Sequence, residues 1–247
     1  MKPDFNIIHF DTIGSTNTYA IENIRGLPHN TVITADIQTN GRGRYKRAWT
    51  SDTAKNLYAS FVVKPDIPYK QLPLVNFPQL FSVITAEAFL SYGAQPQIKW
   101  PNDVLLNGKK CAGILSEASF DGNIFNGVVV GVGVNIGDDP SSRLAVKQPA
   151  TALSSEIKKN VEKSDFFSKM LELYALMCDS FCSIGFTSIK EAYMRYFSHT
   201  GKEISIENAN QRLSGRVSGV SDSGELILKT ASGVENIMIG EVLWETS

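Results

Sequence analysis

The stretch "GRGRYKRAW" at residues 41–49 sets four cations, Arg42, Arg44, Lys46 and Arg47, among two glycines, and it ends on a tryptophan. Gly41 and Gly43 free the backbone to bring amides close to an anion. Arg42 and Arg44 can fork onto phosphate or carboxylate oxygens, and Trp49 offers a flat face to a base. A phosphate-binding loop, an RNA-binding tract and a solvated surface loop all fit these residues. Net charge argues against the second. The 247-residue chain carries 24 Lys and Arg against 25 Asp and Glu, a formal charge of −1. A protein whose main partner is nucleic acid is more basic overall.

Other short stretches hold polar groups that chemistry can use. In "KWPND", 99–103, Pro101 stiffens a turn and Asn102 and Asp103 stand at its exit. In "GKKCAGIL", Lys110 opens a strand-like run, where its charge can meet an anion held by the basic loop or simply face water. "GVGVN" ends a valine-rich run at Asn135, whose amide matches the donor and acceptor edge of adenine. Close-packing glycines followed by an Asn turn explain the same letters.

These groups need a scaffold, and periodicity outlines one. "NIIHF", "TVITADI" and "LYASFVV" have strand composition, so the basic stretch is a loop between two strands. "GSTNTYAIENI" is a turn feeding a helix, with Ser15 or Thr16 as N-cap. "FPQLFSVITAEAFLSYG" has helical spacing, with Pro78 in its first turn and Gly93 at its stop. Asn107-Gly108 marks a hairpin, "DGN" at 121–123 a second turn, and "IFNGVVVGVGVNI" a buried strand. Helical patterns dominate 151–198. Short strands broken by Gly, Ser and Asp then fill about 202–245, the pattern of a small SH3-like barrel. Trp244 reads as an amphipathic anchor for that barrel on the main domain. The expectation is an α/β fold: a mixed sheet flanked by helices over 1–200, and a small barrel over 201–247.

The N-terminus has no charged start leading into an apolar run, so no signal peptide is expected. No apolar run is expected to reach the roughly 18 residues of a membrane span. Cys111, Cys178 and Cys182 form no CxxC pair and read as buried, reduced thiols in a cytoplasmic protein.

Taken in order, "GSTN", "QTNGRGRYKRAW", "KWPND", "KKCAGILSE" and "GVGVN" closely resemble the biotin protein ligase family, the biotin–[acetyl-CoA-carboxylase] ligases. The motifs extend over 14–135, and the later regions fit the family's layout in pattern. The resemblance implies a class II synthetase-like catalytic domain. It implies a C–N bond-forming ligase that joins biotin to AMP from Mg-ATP and then passes it to a lysine of a biotin carboxyl carrier protein. ATP and biotin are then substrates, with Mg²⁺ accompanying ATP and no protein metal site. By position, Ser15, Thr16, Asn17 and Gln38 match the residues around biotin's ureido head. Arg42, Gly43 and Arg44 match a loop that folds over biotin and phosphate, with Gly41 at its start. Lys110 matches the lysine between the biotin carboxylate and the α-phosphate, with Gly113 beside it on the biotin side. Lys110 and Arg44 are the expected catalytic pair. Trp49, Asn102, Asp103 and Asn135 match positions around the nucleotide. Asn40 and Tyr45 depart from the small and the basic residue common at those places. The implied protein is a monomer or a sheet-to-sheet homodimer, without the N-terminal DNA-binding domain that makes some members repressors.

The lipoate ligases and octanoyltransferases are the nearest alternative, but the lipoate ligases carry a Gly-Gly-Gly stretch and this chain has no Gly-Gly pair. A non-enzymatic nucleic-acid-binding module is a second alternative. It is disfavoured by the scarcity of cations after residue 201, where Lys202, Arg212, Arg216 and Lys229 are all there are.

Overall fold

The computed structural model describes residues 4–137, 140, 148–208 and 211–243. A seven-stranded sheet runs in the order β1-β2-β3-β7-β6-β5-β4. It is built from β1 (Asn6–Ile13), β2 (Thr31–Gln38), β3 (Leu57–Val63), β4 (Pro96–Lys99), β5 (Asp103–Leu106), β6 (Lys109–Asp121) and β7 (Ile124–Val134). β1 pairs parallel with β2, and the other neighbours pair antiparallel, so the sheet is mixed as expected.

Strand alternation divides the apolar residues between two faces. On β2, Val32 joins the large core, while Ile33 joins a small one under helix α1 (Thr16–Asn23). β3 sends Phe61 and Val63 one way and Val62 the other; β7 does the same with Val128, Val130 and Val132 against Val129. Helix α2 (Phe77–Ser91) fills the large core with Leu80, Phe81, Ile84 and Phe89, all 0% exposed. Against it lies α4 (Lys163–Ile184), which buries Phe166, Met170, Tyr174, Cys178 and Cys182 at four-residue spacing. α3 (Leu153–Ile157) and α5 (Lys190–Tyr196) complete the helices named here. α1 covers only part of the other face, and the rest is left for a site.

Leu74–Ser91 does reach 18 residues at a mean hydropathy of 1.2, enough by composition to span a bilayer. Two-thirds of it (67%) is buried within the fold, so it is the core helix of the domain, and it exceeds the apolar length expected from sequence. The three cysteines are buried thiols outside any disulfide, as expected.

Both hairpin signals hold: Asn107 (φ 49°) and Gly108 (φ 74°) form the tight left-handed turn between β5 and β6. Beyond Gly201 lie β8 (Glu203–Asn208), β9 (Gln211–Val220), β10 (Leu226–Thr230), β11 (Gly233–Ile237) and β12 (Glu241–Val242). They form one antiparallel sheet in the order β11-β10-β9-β8-β12, whose end strands are not paired with each other among the described residues. Ile206, Val217, Leu226 and Leu228 belong to the same apolar cluster as Phe77, Trp100 and Phe186. The turn before β10 plugs into the main domain. Asn76 Nδ2 donates to Ser223 O at 2.9 Å and Gln79 Nε2 to Gly224 O at 2.8 Å. Trp244 lies outside the described residues.

Candidate active site

The uncovered sheet face is floored by small residues. Period-2 alternation sets Ser60 on β3, Gly131 and Gly133 on β7, and Gly113, Leu115 and Glu117 on β6 facing the same side. Gly113 and Gly133 are directly paired across the strands. The glycines are needed for space. A Cβ on Gly133 would lie 2.5 Å from Trp49 Cε2, and one on Gly113 2.9 Å from Trp49 Cζ3. The indole therefore rests on bare backbone. Its Nε1 is buried without a hydrogen-bond partner among the described residues.

A polar pocket stands where α1 begins. Ser15 is the N-cap, accepting from Thr18 N at 3.4 Å. Thr16 N donates to Gln38 Oε1 at 2.9 Å, and Gln38 Nε2 donates to Ser51 Oγ at 2.8 Å. Ser60 Oγ contacts both Asn17 Oδ1 (2.6 Å) and Thr16 Oγ1 (2.7 Å) with a single proton. Asn17 Oδ1 can only accept, so Ser60 donates there, and the one hydroxyl proton of Thr16 is shared between Ser60 Oγ and Gln38 Oε1, the latter at 3.1 Å. Asn17 Nδ2 then donates to Glu117 Oε2 at 2.9 Å, which also accepts from Arg42 at 2.5 Å. Gly131 is again a spatial requirement, since its Cβ would fall 2.2 Å from Asn17 Oδ1.

The basic loop forms a pinched turn over this floor. Gly43 N donates to Arg47 O (2.8 Å) and Trp49 N to Gly41 O (2.9 Å), and an isolated bridge joins Arg42 to Ala48. Gly41 sits at the stem, where a Cβ would meet Trp49 O at 2.4 Å. Tyr45 (φ 54°) and Lys46 (φ 59°) are both left-handed, a costly conformation for side-chain-bearing residues. Arg44 is anchored at both ends of its fork, to Asn102 Oδ1 at 3.0 Å and Gly240 O at 2.9 Å. Arg47 makes a two-pronged ion pair with Glu241. Burial pushes the Glu241 carboxyl up, but the bonds and charge of Arg47 outweigh it and leave the carboxyl below its ordinary range.

Lys110 Nζ sits 2.7 Å from Asp103 Oδ1 and 5.3 Å from the centre of the Trp49 ring. Its side chain is only 14% exposed, more enclosed than a solvated strand end. Deeper in, Lys99 donates to Val242 O at 2.5 Å. Burial brings its ammonium down to about 8, against the pull of Asp103 and Glu241 in the other direction.

One cleft thus gathers Ser15, Thr16, Asn17, Gln38, Arg42, Gly43, Arg44, Trp49, Asn102, Asp103, Lys110 and Gly113. Asn135 is not brought to it: its Nδ2 donates to Thr151 O at 3.1 Å, and its backbone carbonyl accepts from Leu153 N. The carbonyl at the entrance of α3 needs a donor, and Asn135 supplies it. Sequence reading gave no site role to Ser60, Glu117, Arg47, Gly133 or Glu241. Alternation along β6 from Gly113 was a signal for Glu117; Glu241, 194 residues from Arg47, carried none.

A cluster of cations beside an unpartnered indole and a polar pocket suits a carboxylic acid joined to a nucleotide. Known proteins agree. Residues 9–135 match the Biotin/lipoate A/B protein ligase family, and residues 199–243 match the Biotin protein ligase C terminal domain. The biotin–[acetyl-CoA-carboxylase] ligase of Paracoccus denitrificans is 32% identical over 93% of this chain and 97% of its own length. The bifunctional ligase/repressor BirA of Bacillus subtilis is 30% identical over 96% of this chain and 73% of its own. Among solved structures, the biotin protein ligase from Aquifex aeolicus in complex with biotin and ATP superposes with a TM-score of 0.84 at 27% identity, covering 98% of this chain and 99% of that one. With its catalytic and C-terminal regions both matched, this chain belongs to the biotin protein ligases of the biotin/lipoate A/B protein ligase family.

Proposed function

We propose that the protein activates biotin with ATP and transfers the biotinyl group to one lysine of a biotin carrier domain. In the first step a biotin carboxylate oxygen bonds to the α-phosphorus, the bond to the bridging oxygen breaks, and pyrophosphate leaves. In the second, a carrier lysine amine attacks the acyl carbon, AMP departs, and the amine loses a proton. The observation that carries this reading is that Lys110, Arg42 and Arg44 line the same cleft as the polar pocket of Ser15, Thr16, Asn17 and Gln38. The pocket of Ser15, Thr16, Asn17 and Gln38 offers matched donors and acceptors to a urea group. Lys110 lies where it can neutralise charge passing from carboxylate to phosphate. Arg42 and Arg44 hold the phosphates, and Trp49 receives the base with Asn102 and Asp103 nearby.

Magnesium enters with the substrate as Mg-ATP. The cleft carboxylates suit no resident ion, because Asp103, Glu117 and Glu241 are each already paired with Lys110, Arg42 and Arg47. We place the enzyme in a reducing, cytoplasmic compartment, a reading supported by three buried thiols outside any disulfide. We divide the chain at Thr200–Gly201, between the end of α5 at Tyr196 and the start of β8 at Glu203.

Incubation with a carrier domain, biotin and Mg-ATP tests the whole proposal. Mass spectrometry should find one biotinyl group on a single lysine; a carrier left unmodified while an acyl-carrier substrate is loaded with lipoate would overturn it. The floor has its own test. Gly133→Ala should push the indole off its platform and weaken ATP binding about five- to a hundredfold, the range of base–aromatic stacking. Calorimetric titration against an unchanged melting profile separates this from general damage.

A further inference from the structure

Glu117 joins two groups that the reaction needs at different moments. One oxygen, Oε2, accepts from Asn17 Nδ2 at 2.9 Å and from Arg42 at 2.5 Å. Asn17 lies in the pocket assigned to the urea head, and Arg42 in the loop assigned to phosphate. The hydrogen bonds run without a break from Ser60 through Asn17 to Glu117, and there they reach the loop. No other carboxylate of the cleft bonds to the pocket among the described hydrogen bonds: Asp103 is paired with Lys110, and Glu241 with Arg47.

We propose that Glu117 is a positioning residue that holds Arg42 as a substitute anion and gives it up to phosphate. The inference rests on the functional reading above and adds a residue to it. A guanidinium held by a carboxylate is already aligned for bidentate anion recognition, so less ordering remains when phosphate arrives. The same carboxylate competes with phosphate, so Glu117 raises the selectivity of Arg42 for strongly charged anions and lowers its affinity for any of them. Its pairing is about one-third exposed, at 38% for the Arg42 side chain and 30% for the Glu117 side chain, so the competition is modest.

Glu117→Gln separates the two contacts. Its amide oxygen still accepts from Asn17, but the charge that holds Arg42 is gone. Binding of inorganic pyrophosphate and of ATP, each without biotin, should tighten by about two- to fivefold, the fold-change of an exposed ion pair. Structural damage weakens binding, so a gain identifies a lost competitor. Glu117→Ala should show that gain together with weaker biotin binding, because Asn17 loses its acceptor. Hydrogen exchange at residues 42–47 in the Gln variant, measured with no substrate at all, should quicken. Unchanged loop exchange or a weakened pyrophosphate affinity in Glu117→Gln overturns the proposal, whatever acid the enzyme proves to activate. Failure of the biotin reading itself shows separately, as wild-type protein that does not bind biotin.

Discussion

Lys110→Ala is expected to slow biotinyl-adenylate formation by about 10²–10³-fold, the usual consequence of losing one preorganised electrostatic contact. A lysine that simply faced water at a strand end would bury little, and its loss would leave the fold intact. The structure alters that expectation. The side chain is 14% exposed and lies 2.7 Å from Asp103, itself only 10% exposed, so alanine takes from an enclosed carboxylate its nearest counter-charge and leaves it only the longer-range attraction of Lys99 and Arg47. Losing the nearest partner of an enclosed charge costs at least the ~1–3 kcal/mol of a stranded neutral group, which for a protein of this size lowers the melting temperature by several degrees. Pairing Lys110→Ala with Asp103→Asn should recover most of the lost stability and none of the lost rate. Pyrophosphate release and a thermal melt, run on the single and double variants, distinguish the catalytic charge from the structural one. Near wild-type release from either variant would remove Lys110 from the chemistry.

Ending the chain at Gly201 should abolish both half-reactions together. The terminal sheet is no detachable carrier dock in this structure. Its Ile206, Val217, Leu226 and Leu228 share one core with Phe77 and Trp100, and Trp100, 1% exposed, donates its indole N–H to Gly224 O at 3.4 Å. Truncation also removes the Gly240 carbonyl from Arg44, Glu241 from Arg47 and the Val242 carbonyl from Lys99. The loop then loses two of its fastenings at the phosphate end. Trp244 was the residue that first suggested bracing; the contacts of residues 223–242 now argue for it independently. Adenylation and transfer measured separately decide the matter. A soluble truncated chain that still makes biotinyl-AMP and fails only in transfer would show that the sheet docks the carrier and braces nothing.

Local chemistry made much of this fold legible. Ser15 announced its helix because a hydroxyl at an N-cap has one obvious partner, and Asn107-Gly108 announced its hairpin because few residue pairs accept two left-handed positions. The Gly-Val alternation before Asn135 was read as a buried strand, and it is one, but its glycines also clear room for Trp49 and Asn17. That second use depends on which side chains cross above the strand, which no local pattern states. Lys110 and Asp103 were both singled out, yet their pairing needs the β5–β6 register with its irregularity between Val104 and Leu105. Asn135 shows the opposite limit. Its amide could meet a base or a backbone carbonyl, and the approach of Thr151 from sixteen residues downstream decided for the carbonyl. The SH3-like pattern yielded five antiparallel strands, while the contacts that tie them to the loop span 194 residues or more and left no trace in either segment.

The central claim is that this cleft activates biotin by joining it to AMP. Exchange of radiolabelled pyrophosphate into ATP measures that step alone, without a carrier and without regard to the second transfer. The account predicts exchange that requires biotin and Mg²⁺, is not supported by lipoate or octanoate, and falls by two to three orders of magnitude in Lys110→Ala. Exchange driven by lipoate in place of biotin, or none with either acid, would contradict it.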